Sequence, residues 1–482
     1  MKKFTSILLT ALLMAFTGCG KQIASTNKTP AGAEISQSQN TYFLEGSLEN
    51  GVYTGIQRTN YVNTEQEALN ELYFHLYPNI YADTSLMDED FLLSTFPEGF
   101  DKGGIEIEQV SLLEEPLNFE AEKYLLKINL NEPLKPMESA VITFKYKTVL
   151  PKGLERFGYY DTCYKLTGFY PVAVVYENGW KLEKLSAIGD PAFSDMADYH
   201  FTLRVPSGFT VAATGEKELI SSDESGDTYR ITAKNVRDMA VVADTELKEY
   251  ETKAGETTIK AYAYTDEQAE LLKTYAADSL IFFNNSFGTY PYSTYSVVTS
   301  KLFSGGMEYP TLVLISHQLF NTTEKAFLEW TVAHETAHQW WYGLVGSNPV
   351  TEAFMDESLT EYSTLQYIRN KYDEETYEKM KSTFILLPYS AYNAFYDGKA
   401  IARPISEYES MLEFSMLVYV KGCMMFMEME NIMGKETLMQ ALKSYYETYA
   451  YSSASFSDFK EHLSQSFEYD WDGFFKKWLE QG

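Results

Sequence analysis

Cysteine, histidine and basic residues are scarce in this sequence. Only three of its 482 residues are cysteines, so no disulfide framework holds the fold together, and we expect Cys163 and Cys423 to be buried thiols. Lysine and arginine number 39 against 68 aspartates and glutamates, a formal net charge of −29. This balance argues against nucleic acid as a partner and against electrostatic binding to anionic lipid. The hydrophobic fraction of 45% is ample for sizeable cores.

Long apolar runs are also missing, apart from one near the N-terminus. Residues 7–16 are apolar but fall far short of the ~20 residues that a membrane-spanning helix needs. Lys2 and Lys3 precede this run, and small residues then lead to Cys19. The arrangement resembles a bacterial lipoprotein signal, in which Cys19 becomes the lipidated first residue. We therefore expect a lipid anchor at the extracytoplasmic face of a bacterial cell membrane. An ordinary secretory signal with Cys19 incidental is the alternative.

Composition divides the chain into four segments. Residues 1–18 form the predicted signal peptide, and residues 19–41, rich in small and polar residues, form the lipidated cysteine and a flexible tether. Residues 42–245 alternate short aromatic, β-rich segments with turn signals, which predicts antiparallel sheets. Residues 246–482 read as mainly helical. The order predicts an α+β multidomain protein with a β-rich half followed by a mainly α half.

Two of the six histidines stand in an HExxH unit. His334, Glu335 and His338 form it, and Glu357 follows after a further 18 residues. On a helix, histidines four apart leave the same face. Two imidazoles and one carboxylate make a three-ligand zinc site whose fourth position is open to water, and Glu335 lies where a general base for that water is needed. We predict one Zn²⁺ per chain, held by His334, His338 and Glu357.

The sequence around this unit predicts two helices. Asn321 and Glu324 have the spacing of a capping box, which predicts that the first helix begins there. The second runs over about 351–370 and carries Glu357 and, one turn later, Glu361 on the same face. Glu361 could fix the tautomer of a ligand histidine. We interpret it instead as a solvated surface glutamate.

Three separated motifs resemble those of the gluzincin aminopeptidases, the aminopeptidase N family that includes leukotriene hydrolase. The HExxH-x18-E pattern is the first, and SGGMEYP at 304–310 is similar to the family's GxMEN exopeptidase motif. The third, Tyr-Val-Lys-Gly at 419–422, is similar to the family's Tyr-x-Lys-Gly segment. The resemblance extends over about 42–482.

The resemblance implies a role for each matched residue. Glu335 would be the general base, and the Tyr419 hydroxyl would stabilise the oxyanion, a contribution of roughly 3 kcal/mol for one such donor. Glu308 would hold the free α-ammonium of the substrate. The implied substrate-binding loop consists of Gly305, Gly306, Met307 and Glu308, with the two glycines allowing a peptide to add as an extra strand.

The sequence departs from the family pattern at two places. The asparagine of the family motif is Tyr309 here. The family usually has a second amine-binding glutamine or glutamate in the β-rich domain, and the stretch 160–164 has no clear counterpart, although Asp161 is a candidate substitute. At these two places the sequence does not match the amine-binding pattern of the family.

The expected fold is an N-terminal antiparallel, saddle-like β domain followed by a mainly α, thermolysin-like catalytic domain. The long C-terminal helical domain of many relatives is expected to be missing, which would leave a more open cleft. The expected function is a zinc-dependent aminopeptidase that removes N-terminal residues from peptides. The alternatives are a zinc endopeptidase on the same scaffold and a non-catalytic surface binding protein.

Overall fold

The structure, a computed structural model, describes residues 39–321, 325–395 and 399–480. The predicted signal peptide, the lipidation site Cys19 and Glu324 lie outside these residues. The first strand includes Asn40 and Thr41, which pair with Ala197 and Asp198. The tether predicted for 19–41 is therefore wrong in its last two residues, because they are held in a sheet.

The strands of the described residues are given in chain order. They are β1 Asn40–Glu49, β2 Val52–Val62, β3 Leu69–His75, β4 Gly104–Leu112, β5 Glu115–Pro116, β6 Phe119–Glu122, β7 Leu125–Leu134, β8 Ser139–Val149, β9 Gly158–Tyr160, β10 Cys163–Thr167, β11 Val172–Ala173, β12 Ala197–Val205, β13 Thr210–Ala213, β14 Glu216–Asp223, β15 Gly226–Val236, β16 Ala240–Asp244, β17 Lys248–Ala254, β18 Thr257–Ala263, β19 Thr294–Ser300, β20 Gly306–Met307, β21 Leu312–Ser316, β22 Val345–Gly346 and β23 Ser452–Ser453.

The helices are named in the same way. They are α1 Glu89–Thr95, α2 Asp266–Ser286, α3 Ala326–Ala337, α4 Pro349–Lys371, α5 Glu374–Lys381, α6 Leu387–Asn393, α7 Met411–Phe414, α8 Gly422–Met433, α9 Lys435–Tyr449, α10 Phe456–Ser466 and α11 Trp471–Phe475. Short 3₁₀ segments cover Tyr77–Tyr81, His317–Asn321 and Ile405–Glu407, and π-helical segments cover Ser382–Leu386, Ser415–Lys421 and Lys476–Glu480.

Three sheets make up the N-terminal half. Their strand orders are β14-β15-β12-β1-β2-β8-β4-β5, β13-β16-β10-β9 and β11-β3-β7-β6. In β8, Ala140, Ile142, Phe144 and Tyr146 are buried and alternate with more exposed residues, the pattern of a strand with one face on a core. The sheets are antiparallel as expected, except that β1 and β12 pair in parallel. A parallel pair needs a long connection, and about 150 residues of intervening chain supply it.

The second half opens with strands, although the sequence predicted mainly helices from residue 246. Its sheet has the order β17-β18-β19-β21-β20. Strands β18, β19 and β21 run parallel, α2 connects β18 to β19, and β20 forms an antiparallel edge. Helices α2, α3 and α4 and the later helices share one apolar core with the inner face of this sheet. The result is a sheet edge, β20, that lies next to the helix carrying the HExxH unit.

A smaller apolar cluster joins the two halves. It contains Cys163 and Val242 from the N-terminal sheets together with Met307, Leu312 and Leu314 from β20 and β21. The loop with the GGMEYP sequence is thereby anchored on the N-terminal half. Cys163 and Cys423 are both buried free thiols, as predicted. In the described part of the chain, no helix is long and apolar enough to cross a membrane.

Helix α3 begins later than the capping pattern predicts. Asn321 ends a 3₁₀ segment, and the helix starts at Ala326 with Lys325 at its N-cap and no side-chain cap. Asn321 is therefore not the N-cap. The helix is stabilised mainly by burial, since the residues from Leu328 to Ala337 are all buried.

Candidate active site

The predicted metal ligands lie on two packed helices, α3 and α4. His334 and Glu335 belong to α3, His338 caps its C-terminal end, and Glu357 lies in α4. The Nε2 atoms of His334 and His338 are 3.1 Å apart, and Glu357 Oε2 lies 3.2 Å from each. The three predicted ligand atoms thus form a nearly equilateral triangle.

This triangle has the dimensions of a zinc site. With bonds of about 2.0–2.1 Å, a tetrahedral zinc ion places its ligands about 3.3 Å apart. The observed separations of 3.1 and 3.2 Å are close to that value. The residues present therefore fit a zinc ion, and the set of His334, His338 and Glu357 could hold a metal.

Glu361 orients the first histidine. It is 6% exposed, so the surface interpretation of Glu361 is wrong. His334 Nδ1 donates to Glu361 Oε2 at 2.8 Å, and Trp330 Nε1 donates to the same carboxylate at 3.1 Å. The bond at Nδ1 leaves Nε2 unprotonated and available as a ligand. The four-residue spacing from Glu357 already pointed to this role, but only the packing of α4 on α3 decides it.

Asp356 and Thr360 orient the second histidine. His338 Nδ1 lies 2.7 Å from Asp356 Oδ1 and 3.1 Å from Thr360 Oγ1, and it donates to the Trp341 carbonyl at 3.0 Å. Our sequence reasoning missed both residues. They are one turn apart on α4, so their shared face could have been recognised, but their contact with His338 depends on how the two helices pack.

The electrostatics of the site favour a cation. Burial opposes protonation of His334, but hydrogen bonds to Glu357 and Glu361 raise its pKa to about 10. Burial also opposes ionisation of Glu357, yet the neighbouring imidazoles His338 and His334 hold its pKa well below the usual range. The carboxylates that favour a proton on the imidazoles equally favour a metal ion between them.

Glu335 points toward the edge strand β20. Burial raises the pKa of Glu335 to about 7. A Cβ atom at Gly306 would lie 2.3 Å from Glu335 Oε1, so only glycine lets the strand pass so close to this carboxylate. Gly305 and Met307 flank this glycine, and Met307 pairs with Leu314. The predicted substrate loop therefore runs directly beside the predicted general base.

Glu308 also lines the cavity. Three residues from the N-terminal half, Glu155, Arg156 and Asp190, form a further wall, which we call the N-terminal wall. Glu308 is buried, and burial raises its pKa well above the usual range. Asp190 accepts from Arg156 Nη1 at 3.0 Å, and Arg156 Nε donates to Glu155 at 2.9 Å. All four side chains line the same cavity as the metal ligands. Our sequence reasoning missed Glu155, Arg156 and Asp190, since no spacing connects them with Glu308.

Asp161 and Tyr309, the two uncertain positions of the sequence, both lie away from this cavity. Asp161 is exposed and pairs with Lys301 at 3.5 Å, so it does not substitute for the second amine-binding residue. Tyr309 is buried and lines a separate cavity beside Thr167 and Asp238. Tyr309 therefore lies in a neighbouring cavity, which shares Arg156 and Asp190 with the one around His334.

Tyr419 lies on the metal side, within the π-helical segment Ser415–Lys421. Its hydroxyl donates to Glu357 Oε1 at 2.5 Å, and its ring stacks on His334 at a centroid distance of 5.6 Å. A Cβ atom at Gly422 would lie 1.9 Å from Ser358 Oγ, so this glycine allows the close approach of α8 to α4. The Tyr-x-Lys-Gly pattern thus has a packing reason: the glycine brings the tyrosine to the metal ligands.

The cavity is large enough for part of a peptide. Its volume is about 500 Å³. Aromatic and methionine side chains form much of its wall, namely Phe91, Phe303, Phe327, Trp330, Met411, Phe414 and Met416. The acidic groups converge at the metal ligands, so the cavity combines an apolar lining with a strongly negative centre.

The comparison with known families agrees with this arrangement. Residues 273–478 match the peptidase family M1 domain. The chain is therefore similar to peptidase family M1 over this segment, which is less than half of its length. The match includes all residues of the HExxH-x18-E pattern, the GGMEYP loop and Tyr419, whereas the N-terminal wall with Asp190 lies outside it.

The curated relatives that this chain matches are distant in sequence. Aminopeptidase N of Bos taurus is 25% identical over 207 residues, which cover 39% of this chain and 21% of that protein. Aminopeptidase M1-B of Oryza sativa subsp. japonica is 26% identical over 220 residues, which cover 42% of this chain and 24% of that protein. The matched stretches therefore span less than a quarter of either relative.

Solved M1 structures share the fold over nearly the whole chain. The M1 zinc metallopeptidase from Deinococcus radiodurans superposes with a TM-score of 0.63 at 14% identity, covering 92% of this chain and 94% of that one. A mutant of a two-domain M1 zinc metallopeptidase bound to L-arginine gives 0.65 at 13% identity, covering 91% and 94%. The expected fold class, a β-rich domain followed by a mainly helical one, is confirmed.

Proposed function

We propose that this chain is a zinc-dependent aminopeptidase. The observation that carries the proposal is the buried Glu308 carboxylate, which opens onto the same cavity as His334, His338 and Glu357. A buried carboxylate beside a hydrolytic centre suits the α-ammonium of a peptide, because an ammonium bound there without a counter-charge would cost a few kcal/mol. A free peptide N-terminus is therefore the ligand that this cavity favours.

Three residues would hold the metal. His334 and His338 would bind through Nε2 and Glu357 through Oε2, with Glu361 and Asp356 keeping the imidazoles in place. Bound zinc supplies Lewis acidity, which makes water a nucleophile at neutral pH and polarises a carbonyl. The proposed function requires one zinc ion per chain.

Glu335 acts as the general base. It takes a proton from the attacking water as the carbon–oxygen bond forms, and it passes this proton to the leaving amine as the carbon–nitrogen bond breaks. Its position beside Gly306 brings it next to the strand edge along which a substrate backbone can pair. The proton therefore moves over a short path between the water, one carboxylate and the leaving nitrogen.

Tyr419 donates a hydrogen bond to the developing oxyanion. Its hydroxyl donates to Glu357 Oε1 and therefore lies next to the proposed metal ligands. A donor that strengthens only as the oxyanion forms lowers the barrier without tightening substrate binding. The residue is therefore a transition-state contact.

Glu308 holds the substrate's α-ammonium, with the Asp190 and Glu155 carboxylates on the facing wall. Arg156 pairs with both of these carboxylates, which keeps the wall from repelling Glu308 further. The N-terminal half thereby completes the amine site that the catalytic half begins. An acetylated N-terminus carries no charge and would leave Glu308 without a partner.

The test compares free and N-acetylated forms of one peptide. Free peptides should lose their first residue, and acetylated ones should be cut at least about 10²-fold more slowly. Glu308→Ala should lower kcat/KM for the free peptide by about 10²-fold while zinc content is unchanged. Glu98→Gln, at an exposed glutamate paired with Lys152, is the matched control. Internal cleavage of acetylated peptides at the rate of the free ones would establish the endopeptidase alternative instead.

We further propose that the enzyme is a lipoprotein at the extracytoplasmic face of the membrane. The support is the apolar run 7–16 followed by the small residues before Cys19. A diacylated cysteine would hold the chain far more firmly than a single acyl chain. Cys19→Ala should release the protein from the membrane fraction with unchanged specific activity. Wild-type protein that is soluble and without lipid would instead indicate an ordinary secretory signal.

A further inference from the structure

Two carboxylates on the substrate side of the cavity each keep one oxygen unbonded. Glu308 and Glu335 are 4% and 5% exposed. Among the described residues, neither Glu308 Oε1 nor Glu335 Oε2 has a hydrogen-bond partner. Buried carboxylate oxygens are normally satisfied, so two free ones in one cavity point to a ligand.

These two carboxylates form a second candidate metal set with His338. One ligand atom from each of Glu308, Glu335 and His338 lies within 4.8 Å of the others. His338 Nδ1 faces Asp356 and the Trp341 carbonyl, so Nε2 is its remaining ligand atom. That atom already belongs to the triangle with His334 and Glu357. A second ion would therefore depend on the two glutamates and water.

The charge of the cavity leaves room for a second cation. Glu308, Glu335, Asp356, Glu357 and Glu361 are all buried, and they carry five negative charges when ionised. One divalent ion offsets two of them. Arg156, the guanidinium in the facing wall, is already paired with Glu155 and Asp190. The centre thus stays negative after the first ion binds and remains negative after a second.

We propose that Glu308 and Glu335 bind a second divalent cation, more weakly than the first. Two carboxylates and water suit a hard ion such as Mn²⁺, whereas the His334–His338–Glu357 set, with two imidazoles, favours zinc. The second ion occupies the carboxylates that hold the ammonium and accept the proton. Its binding therefore inhibits the enzyme in competition with peptide, a consequence that rests on the proposed function.

The test titrates Mn²⁺ into the full-length, detergent-solubilised chain that already carries one zinc. Free Mn²⁺ has a strong electron paramagnetic resonance signal that bound Mn²⁺ loses, so the bound fraction is measured without any activity assay. Salt is held near 0.15 M to suppress loose binding to the acidic surface. Wild type should bind one Mn²⁺ per chain while its zinc, measured by mass spectrometry, stays bound.

Two variants decide the assignment. Glu308→Gln and Glu335→Gln should each weaken Mn²⁺ binding by at least about tenfold and keep the zinc. The exposed Glu98→Gln is the matched control and should bind Mn²⁺ as wild type does. Thermal unfolding of each variant shows that it is folded. Wild-type affinity for Mn²⁺ in Glu308→Gln, or failure of wild type to bind Mn²⁺ at all, would overturn the proposal.

A competition experiment separates this proposal from the proposed function. L-arginine, which carries an α-ammonium, should displace Mn²⁺ from wild type without displacing zinc. If Glu308→Gln loses the Mn²⁺ site but L-arginine has no effect on wild type, the cation site stands and the amine-binding role of Glu308 fails.

Discussion

The two sides of the active-site cavity differ in how their polar atoms are bonded. On the metal side, His334 Nδ1 donates to Glu361 and His338 Nδ1 donates to the Trp341 carbonyl, and their Nε2 atoms converge with Glu357. On the substrate side, Glu308 and Glu335 each keep an unbonded oxygen. The comparison teaches that hydrogen bonds within the protein hold the imidazoles of the proposed metal ligands, whereas the proposed substrate-binding carboxylates keep an oxygen for a partner from outside.

The two sides also differ in their structural support. The metal side is built from α3 and α4, whose positions are set by one shared apolar core. The substrate side combines Glu335 of α3 with a short edge strand, β20, and with loop residues from the N-terminal half such as Asp190. Sites on helices are held more precisely than sites on loops, so changes on the metal side should affect metal retention and changes on the substrate side should affect turnover and specificity.

The largest effect is expected from removal of a metal ligand. His338→Ala should abolish both zinc binding and activity, because two ligands remain and Asp356 is left buried without its imidazole. Zinc per chain, measured by mass spectrometry, and peptide hydrolysis check this. His317→Ala, in the 3₁₀ segment before α3, is the control and should keep both. Full zinc content in His338→Ala would contradict the ligand assignment.

The second-largest effect is expected at Glu335, where loss of turnover should occur without loss of zinc. Glu335→Gln should keep one zinc per chain and lower kcat at least about 10²-fold, because the amide cannot accept the proton of the attacking water. Metal content and single-turnover rates measure the two properties independently. Turnover close to that of wild type would show that Glu335 is not the general base.

Tyr419→Phe should give a smaller loss that appears in kcat. The missing hydroxyl removes a donor needed mainly in the transition state, so kcat should fall by about 10²-fold with little change in KM. Steady-state kinetics with one peptide over a range of concentrations provide the measurement. A rise in KM at unchanged kcat would assign Tyr419 to substrate binding instead.

The smallest effect is expected at Glu361, which contacts the proposed ligand His334 and is not itself a proposed ligand. Glu361→Gln should weaken zinc affinity by about 10–100-fold, because His334 loses the carboxylate that orients its ring. Competition with a chelator measures the affinity, and activity at saturating zinc should fall much less. The exposed Glu378→Gln serves as control. Unchanged zinc affinity in Glu361→Gln would show that packing alone orients the imidazole.

Local periodicity explains what could be predicted about the site. The His334–His338 spacing and the position of Glu357 depend on the geometry of single helices, and α4 runs from Pro349 to Lys371, close to the predicted 351–370. Glu361 shares a face with Glu357 for the same reason, yet its environment was misjudged. A helix pattern states which residues lie together on a face, and it does not state which face is buried.

The proposed amine site shows what the sequence could not predict. Asp161 was a reasonable candidate by sequence position, but it lies at the surface beside Lys301. Asp190, which faces the cavity, is more than a hundred residues from Glu308 in the chain and has no spacing relation to it. Contacts between separate domains depend on how their cores dock, and no local rule predicts that.

The chain therefore encodes its proposed metal ligands and general base in short patterns that follow the periodicity of a helix. The part of the substrate side that comes from the N-terminal half was decided only by tertiary structure. The apolar cluster that joins Cys163 and Val242 to β20 and β21 brings the N-terminal sheets against the catalytic half. Because that docking buries Glu308 opposite Asp190 and Arg156, the charge and shape of the cavity follow from packing between distant residues.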